Sequence, residues 1–204
     1  MVLLVTALAA GCGEDTSPTA SESTPDAIPS TPSVTGTVSP SESPPASEAT
    51  CEPFGSTDDE ESADPLAMST LTGASMRVGQ HDCFERFVFE MTGTGDPPGW
   101  SVGYADPMAA DGSGEPVELL GDADLEVVVR VWTVPEFEGR PDEWPPFSGP
   151  NELVTTGFDA IQQVRNLYAF EGVTQIGIGL DEQRPFRVSW LDGPPRLVVD
   201  IATD

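Results

Sequence analysis

The chain has 204 residues, 35 acidic against 8 basic side chains and a formal net charge of −27, and all eight cations are arginine. This balance argues against nucleic-acid binding, which rests on clustered Lys and Arg, and disfavours electrostatic docking on anionic lipid. Length alone permits one or two domains, but the first third lacks the aromatic and branched residues a core needs, so one folded domain is expected.

In chain order, Val2 to Ala10 form an apolar run, too short to cross a bilayer, which takes roughly 20 residues. The run closes on Leu8-Ala9-Ala10-Gly11-Cys12 and is followed at once by Gly13-Glu14-Asp15. Small residues before a cysteine at the end of an apolar run resemble the bacterial lipobox. That resemblance implies a lipid-bearing Cys12 as mature N-terminus, anchored on the outer face of the cytoplasmic membrane. Ala9 stands where Leu is commoner, and the basic n-region of a signal peptide is missing, which suggests a start codon placed too far downstream. The competing reading is a chance apolar N-terminus on a cytosolic protein.

From Gly13 to about Ala49 the residues are Ser, Thr, Pro, Glu and Ala with scarcely an aliphatic side chain. Such a segment buries too little apolar surface to offset the entropy of ordering, and disorder is expected. As a flexible coil, a tether of around 60 residues reaches roughly 45 Å, and further where proline stiffens it. The expected organisation is a signal peptide with lipidated cysteine over 1–12, a tether over 13–71 and a folded domain over 72–204. Asp58-Asp59-Glu60-Glu61 falls in the tether as a solvated acidic run without the ligand spacing of a calcium site. If Cys12 carries lipid, Cys51 and Cys83 remain, and outside the cytoplasm two such thiols can pair. Two free thiols are the alternative. His81 beside Cys83 makes no zinc site, for want of further ligands.

Beyond Thr72 the pattern becomes period-two alternation. Phe87, Phe89 and Met91 alternate with Val88 and Glu90, and Leu125, Val127, Val129 and Val131 with Glu126, Val128, Arg130 and Trp132. Ile176, Ile178 and Leu180 alternate with Gly177, Gly179 and Asp181; Phe186, Val188 and Trp190 with Arg187 and Ser189; and Leu197, Val199 and Ile201 with Val198 and Asp200. These are half-buried strands, punctuated by Gly93–Gly99, Asp111–Gly114 and Asp192–Pro195 as turns. Asp159 to Leu167 fits a helical turn or another strand. Many short strands with regular turns predict an all-β fold, a small sandwich or barrel.

Arg184-Pro185-Phe186-Arg187-Val188-Ser189-Trp190-Leu191, then Pro194-Pro195-Arg196-Leu197-Val198-Val199-Asp200-Ile201, resembles the ending of AMIN-type domains. Phe170-Glu171-Gly172-Val173, with Gly177-Ile178-Gly179-Leu180-Asp181, resembles the AMIN-like branch found in bacterial lipoproteins, and Phe84–Glu90 and Trp100–Tyr104 fit the same pattern. The resemblance spans roughly His81 to Ile201. It implies a small β-sandwich that binds peptidoglycan or another wall component.

Enzymatic signatures are weak. Gly99-Trp100-Ser101-Val102-Gly103 matches the nucleophile elbow of α/β-hydrolases, but that elbow needs a helix after the serine and a histidine later in the chain. Ala105-Asp106-Pro107 follows instead, and the sole histidine, His81, lies upstream. Glu136, Glu138, Asp142 and Glu143 share a Pro-rich loop without the fixed separation a glycosidase needs. Asp122-Ala123-Asp124-Leu125-Glu126 opens like a calcium loop but has Val127 where glycine belongs. No enzyme, cofactor or metal is expected.

Recognition remains. Trp144 and Phe147 lie in the 134–150 loop, either as a lid over the sandwich edge or against a ligand. Trp100, Tyr104, Trp132 and Trp190 read as core. Arg196 either pairs with an acidic group near its strand or faces a ligand. The expected partner is a cell wall polymer, or alternatively an envelope protein complex docking through the 134–150 loop, with the chain itself a monomer held to the membrane by its lipid.

Overall fold

The structure, a computed structural model, describes residues 51–133 and 146–204. Cys12 and Trp144 lie outside them, as do Glu136, Glu138, Asp142 and Glu143.

Ten strands run in chain order: β1 (Glu60–Glu61), β2 (Thr72–Gln80), β3 (Phe84–Thr92), β4 (Trp100–Tyr104), β5 (Ala123–Val129), β6 (Glu152–Val154), β7 (Ile161–Phe170), β8 (Val173–Leu180), β9 (Phe186–Leu191) and β10 (Arg196–Ala202). A six-stranded sheet has the order β1-β4-β5-β8-β7-β6, and a four-stranded sheet the order β2-β3-β10-β9. All strand pairs are antiparallel. The two sheets form a sandwich, and the described residues contain no helix. The segment Asp159–Leu167, left open between helix and strand by its sequence, is mostly strand β7.

Alternation dictates which side chains fill the space between the sheets. Phe87, Phe89, Met91, Phe186, Leu197, Val199 and Ile201 point inward from the smaller sheet, against Val102, Leu125, Val127, Val129, Ile176, Ile178 and Leu180 from the larger, all essentially inaccessible. The β7–β8 hairpin turns on Glu171 and Gly172, both at positive φ (51° and 78°). Two central residues at positive φ are what a two-residue type I′ turn requires, which gives the Glu-Gly pair of that hairpin its physical reason.

One buried carboxylate joins the sheets. Glu85 on β3 is 1% exposed, and its side chain accepts backbone N–H bonds from Asp159 (2.6 Å), Ala160 (3.1 Å) and Ile161 (2.7 Å) at the start of β7. These donors belong to the opposite sheet, so the glutamate satisfies the turn into β7 that would otherwise leave buried N–H groups unpaired.

Residues 51–71 do not extend away from the sandwich, as the tether boundary at 71 implied; they close one of its open sides. Ser56 bridges Phe186 on β9, β1 pairs with β4, and the Glu60 carboxylate accepts the N–H of Val188 at 3.2 Å. Leu71 is buried in the core. Cys51 and Cys83 form a disulfide with Cα atoms 5.5 Å apart, tying the start of this segment to the β2–β3 turn. Closing a loop across 32 residues contributes about 3–4 kcal/mol by chain-entropy arithmetic.

Candidate functional site

The outer faces of the two sheets differ in what the sequence lets near them. Over the larger sheet runs the connection from β4 to β5, residues 105–122. Gln175 of β8 holds it by donating to the Ala109 carbonyl (2.8 Å) and accepting the Asp111 N–H (2.8 Å), and the Gln163 side chain accepts the Leu120 N–H at 2.9 Å. Close approach requires Gly177 and Gly179: a Cβ on Gly179 would run into the Leu120 carbonyl, and one on Gly177 would lie 2.8 Å from the Leu119 side chain. That outer face is therefore roofed.

Glycines of the hydrolase-like motif have the same origin. A Cβ on Gly99 would lie 2.5 Å from the Pro65 backbone, and one on Gly103 would strike the Asp59 carboxyl. Segment 58–67 crosses here, and Gly99 donates its N–H to the Ala67 carbonyl at 2.7 Å. Ser101 stands inside a strand paired on both sides, with a bend after it. The arrangement offers no sharp strand-to-helix turn for a nucleophile.

The outer face of the smaller sheet is built differently. Inward Phe87, Val199 and Val78 leave their neighbours outward, and register places these in three rows across the strands. Gly79, Arg86, Asp200 and Arg187 form one; Arg77, Val88, Val198 and Ser189 the next; Ser75, Glu90, Arg196 and Leu191 the third. Four of the chain's eight arginines thus share one face with two carboxylates, in a protein whose net charge is −27.

Asp200 sits between two of the arginines and is 2% exposed. Arg86 grips it with two bonds of 2.6 and 2.9 Å, and Arg187 adds contacts of 3.1 and 3.0 Å. The bond to Asp200 raises the Arg86 pKa above its ordinary value. Arg187 and Arg86 also lie over aromatic rings, Phe54 at 4.3 Å and Phe84 at 5.1 Å, which covers that end of the face. Arg77 pairs with Glu90 at 3.0 Å. Arg196 differs: its Nε donates to the Pro194 carbonyl at 3.1 Å, and no carboxylate of the described residues lies within ion-pair distance. Between these side chains lies a depression of about 200 Å³, lined by Arg77, Arg86, Arg196 and His81 over Val88 and Val198.

The aromatic candidates are redistributed. Phe147 packs partly buried against the core, its ring 6.5 Å from that of Phe89, while Ser148 N–H bonds to the Ala74 carbonyl. Of the two roles left open for it, the structure gives Phe147 that of a lid over the β2 edge. Trp100, Tyr104 and Trp190 pack against the core. Trp132 does not: it is 50% exposed, just beyond the end of β5, on the outward side that its alternation with the buried Val131 gives it. Its indole and the Met68 methyl group pack over Gly172 at the β7–β8 hairpin tip. Cys51, Cys83 and the Asp204 carboxylate lie close together, but sulfurs joined in a disulfide are not thiolate ligands.

A two-sheet antiparallel sandwich with one roofed face and one open, arginine-bearing face is an all-β domain of the sandwich class. Residues 71–203 match the AMIN-like domain, and the chain belongs to that family. AMIN-like domains are non-catalytic binding domains with a cell-wall-related role, which suits an envelope location. No curated protein and no solved structure matches the chain.

Proposed function

We propose that this protein is a lipid-anchored module of the bacterial envelope that binds peptidoglycan or another wall component without acting on it chemically. The AMIN-like domain filling residues 71–203 carries the reading. The lipobox-like stretch ending at Cys12 and the Ser/Thr/Pro/Glu-rich segment after it supply the anchor and the reach, leaving the domain to work in the wall above the membrane. An open sheet face bearing several guanidiniums supports recognition, because arginine forks match oxyanions and planar polar groups.

The test is retention of the full, disulfide-bonded chain on purified insoluble wall, with and without its attached anionic polymers. Saturable binding that survives removal of those polymers is expected. Absence of binding to either preparation overturns the reading and turns the search to protein partners at the membrane. Radiolabelled palmitate incorporated by the wild-type chain and lost in Cys12→Ala checks the anchor.

A further inference from the structure

We propose that the depression on the outer face of the four-stranded sheet is a carboxylate-binding site, with Arg196 as its principal ligand-binding residue and Arg77 beside it. The inference rests on the wall-binding reading and deepens it, by naming where on the domain a wall component is held and through which group.

Three observations converge. Arg77, Arg86, Arg196 and His81 line the depression, and Glu90 and Asp200, the carboxylates of that face, are engaged elsewhere. Glu90 stands directly across from Arg196 in register, yet its ion pair is with Arg77. Asp200 is held by Arg86 and Arg187. Four guanidiniums against two carboxylates leave an excess of positive charge, and it is greatest at Arg196, whose terminal nitrogens have no carboxylate partner among the described residues.

The third observation is the apolar surroundings. Val88 and Val198 are 6% and 3% exposed although they lie on the sheet's outer side, and Leu191, 39% exposed, borders them. Aliphatic walls lower the local dielectric and strengthen a charge-assisted bond to the guanidinium. They also suit a ligand that carries methyl groups next to its anion. One unengaged fork over an aliphatic floor fits a single carboxylate on a small alkyl body. It fits a polyphosphate poorly, since that binds through many cations at once. The terminal carboxylate of a wall peptide ending in alanine has this chemistry. Beside Gly79 there is open space, with nothing within 4 Å of where a Cβ would stand, so a ligand can enter from the β2 side.

The probe is N-acetyl-D-alanyl-D-alanine, titrated into the full, disulfide-bonded chain while backbone amide shifts are followed by NMR; its C-terminal amide and inorganic phosphate serve as separate arms. Saturable shifts at Arg77, Val88, Arg196 and Val198 with the acid are expected, and not with the amide. Arg196→Gln should weaken the binding by about tenfold or more while leaving thermal stability unchanged. Gly79→Glu, which sets a competing carboxylate into open space, should weaken it likewise without touching any arginine. Equal shifts with the amide, a preference for phosphate, or full binding by both variants each overturn the proposal. Retention on wall by Arg196→Gln equal to wild type would refute this site and leave wall binding intact. Peptide binding without wall retention would do the reverse.

Discussion

The two outer faces of the sandwich come from the same alternating pattern and end in opposite conditions. On the larger sheet the outward positions of β8 are Gln175, Gly177 and Gly179, which either hold or admit the roof of residues 105–122. On the smaller sheet the outward positions include Arg77, Arg86, Arg187 and Arg196, with Val88 and Val198 between and the carboxylates Glu90 and Asp200 among them. Glycine lets backbone approach backbone, whereas long cationic side chains hold other elements off and shelter the aliphatic groups beneath them. The chain has thus spent one face on stability and kept the other accessible. Substitutions on the roofed face should cost folding, whereas those at the exposed positions of the open face, away from the buried Asp200 and the arginines that hold it, should cost little of it.

The largest effect should come from the joint on which both faces depend. Glu85→Ala leaves three backbone N–H groups at the start of β7 without their acceptor, two of them on buried residues, and should destabilise by about 3–5 kcal/mol in urea unfolding. A loss below about 1 kcal/mol would mean that the two sheets are not joined there. Next comes the roof. Gly179→Ala drives a methyl group into the Leu120 carbonyl and should cost about 1–3 kcal/mol as overpacking does. A matched change on the open face, Ser189→Ala, should stay within about 0.5 kcal/mol of wild type. If the two losses came out equal, the contrast between faces would fall.

Much of this was legible in the alternation. Phe87, Phe89, Leu125, Val127, Ile176, Ile178, Leu197 and Val199 read as core and are core, because a period of two leaves one face no choice but the interior. Counting thiols allows the Cys51–Cys83 pairing but leaves two free thiols as the alternative, and the disulfide decides between them. Glycines were harder. Gly99, Gly103, Gly177 and Gly179 each answer to a chain segment distant in sequence, so neither a hydrolase elbow nor simple strand alternation explained them. Segment 51–71 was missed because it docks through backbone bridges and single side chains and carries no apolar period. Trp132 reads as core from its size and its place on a strand, but the alternation with buried Val131 puts it on the outward side, and there it stays half exposed. Arg196 was singled out in the sequence, but the rows that gather Arg77, Arg86 and Arg187 around it need the strand order β2-β3-β10-β9, which no local pattern supplies.

The smallest effect is a pH dependence at the roofed face, set against an ion pair in the β8–β9 connection. Asp124, on the outward side of β5 at the roof, has its pKa raised by burial and then by the neighbouring charge of Asp106. A carboxyl raised on folding contributes most below its unfolded pKa, and that contribution is lost as pH rises through the folded value. At neutral pH the ionised Asp124 therefore weighs against the roofed face, and Asp124→Asn should melt slightly higher than wild type. The gain should shrink as pH falls through the carboxylate range and vanish where both chains carry an uncharged group there. Asp181 has the opposite sign: its bonds to Arg184 (2.7 Å each) lower its pKa, so its contribution is present at neutral pH and lost as acid protonates it. Melting temperatures of the two Asp→Asn variants from neutral pH down to about pH 2 should accordingly diverge at neutral pH in opposite directions and draw together only at the acid end, Asp181 last because its pKa is lowered. A shared direction at neutral pH would show that the roof loop does not hold Asp124 away from water.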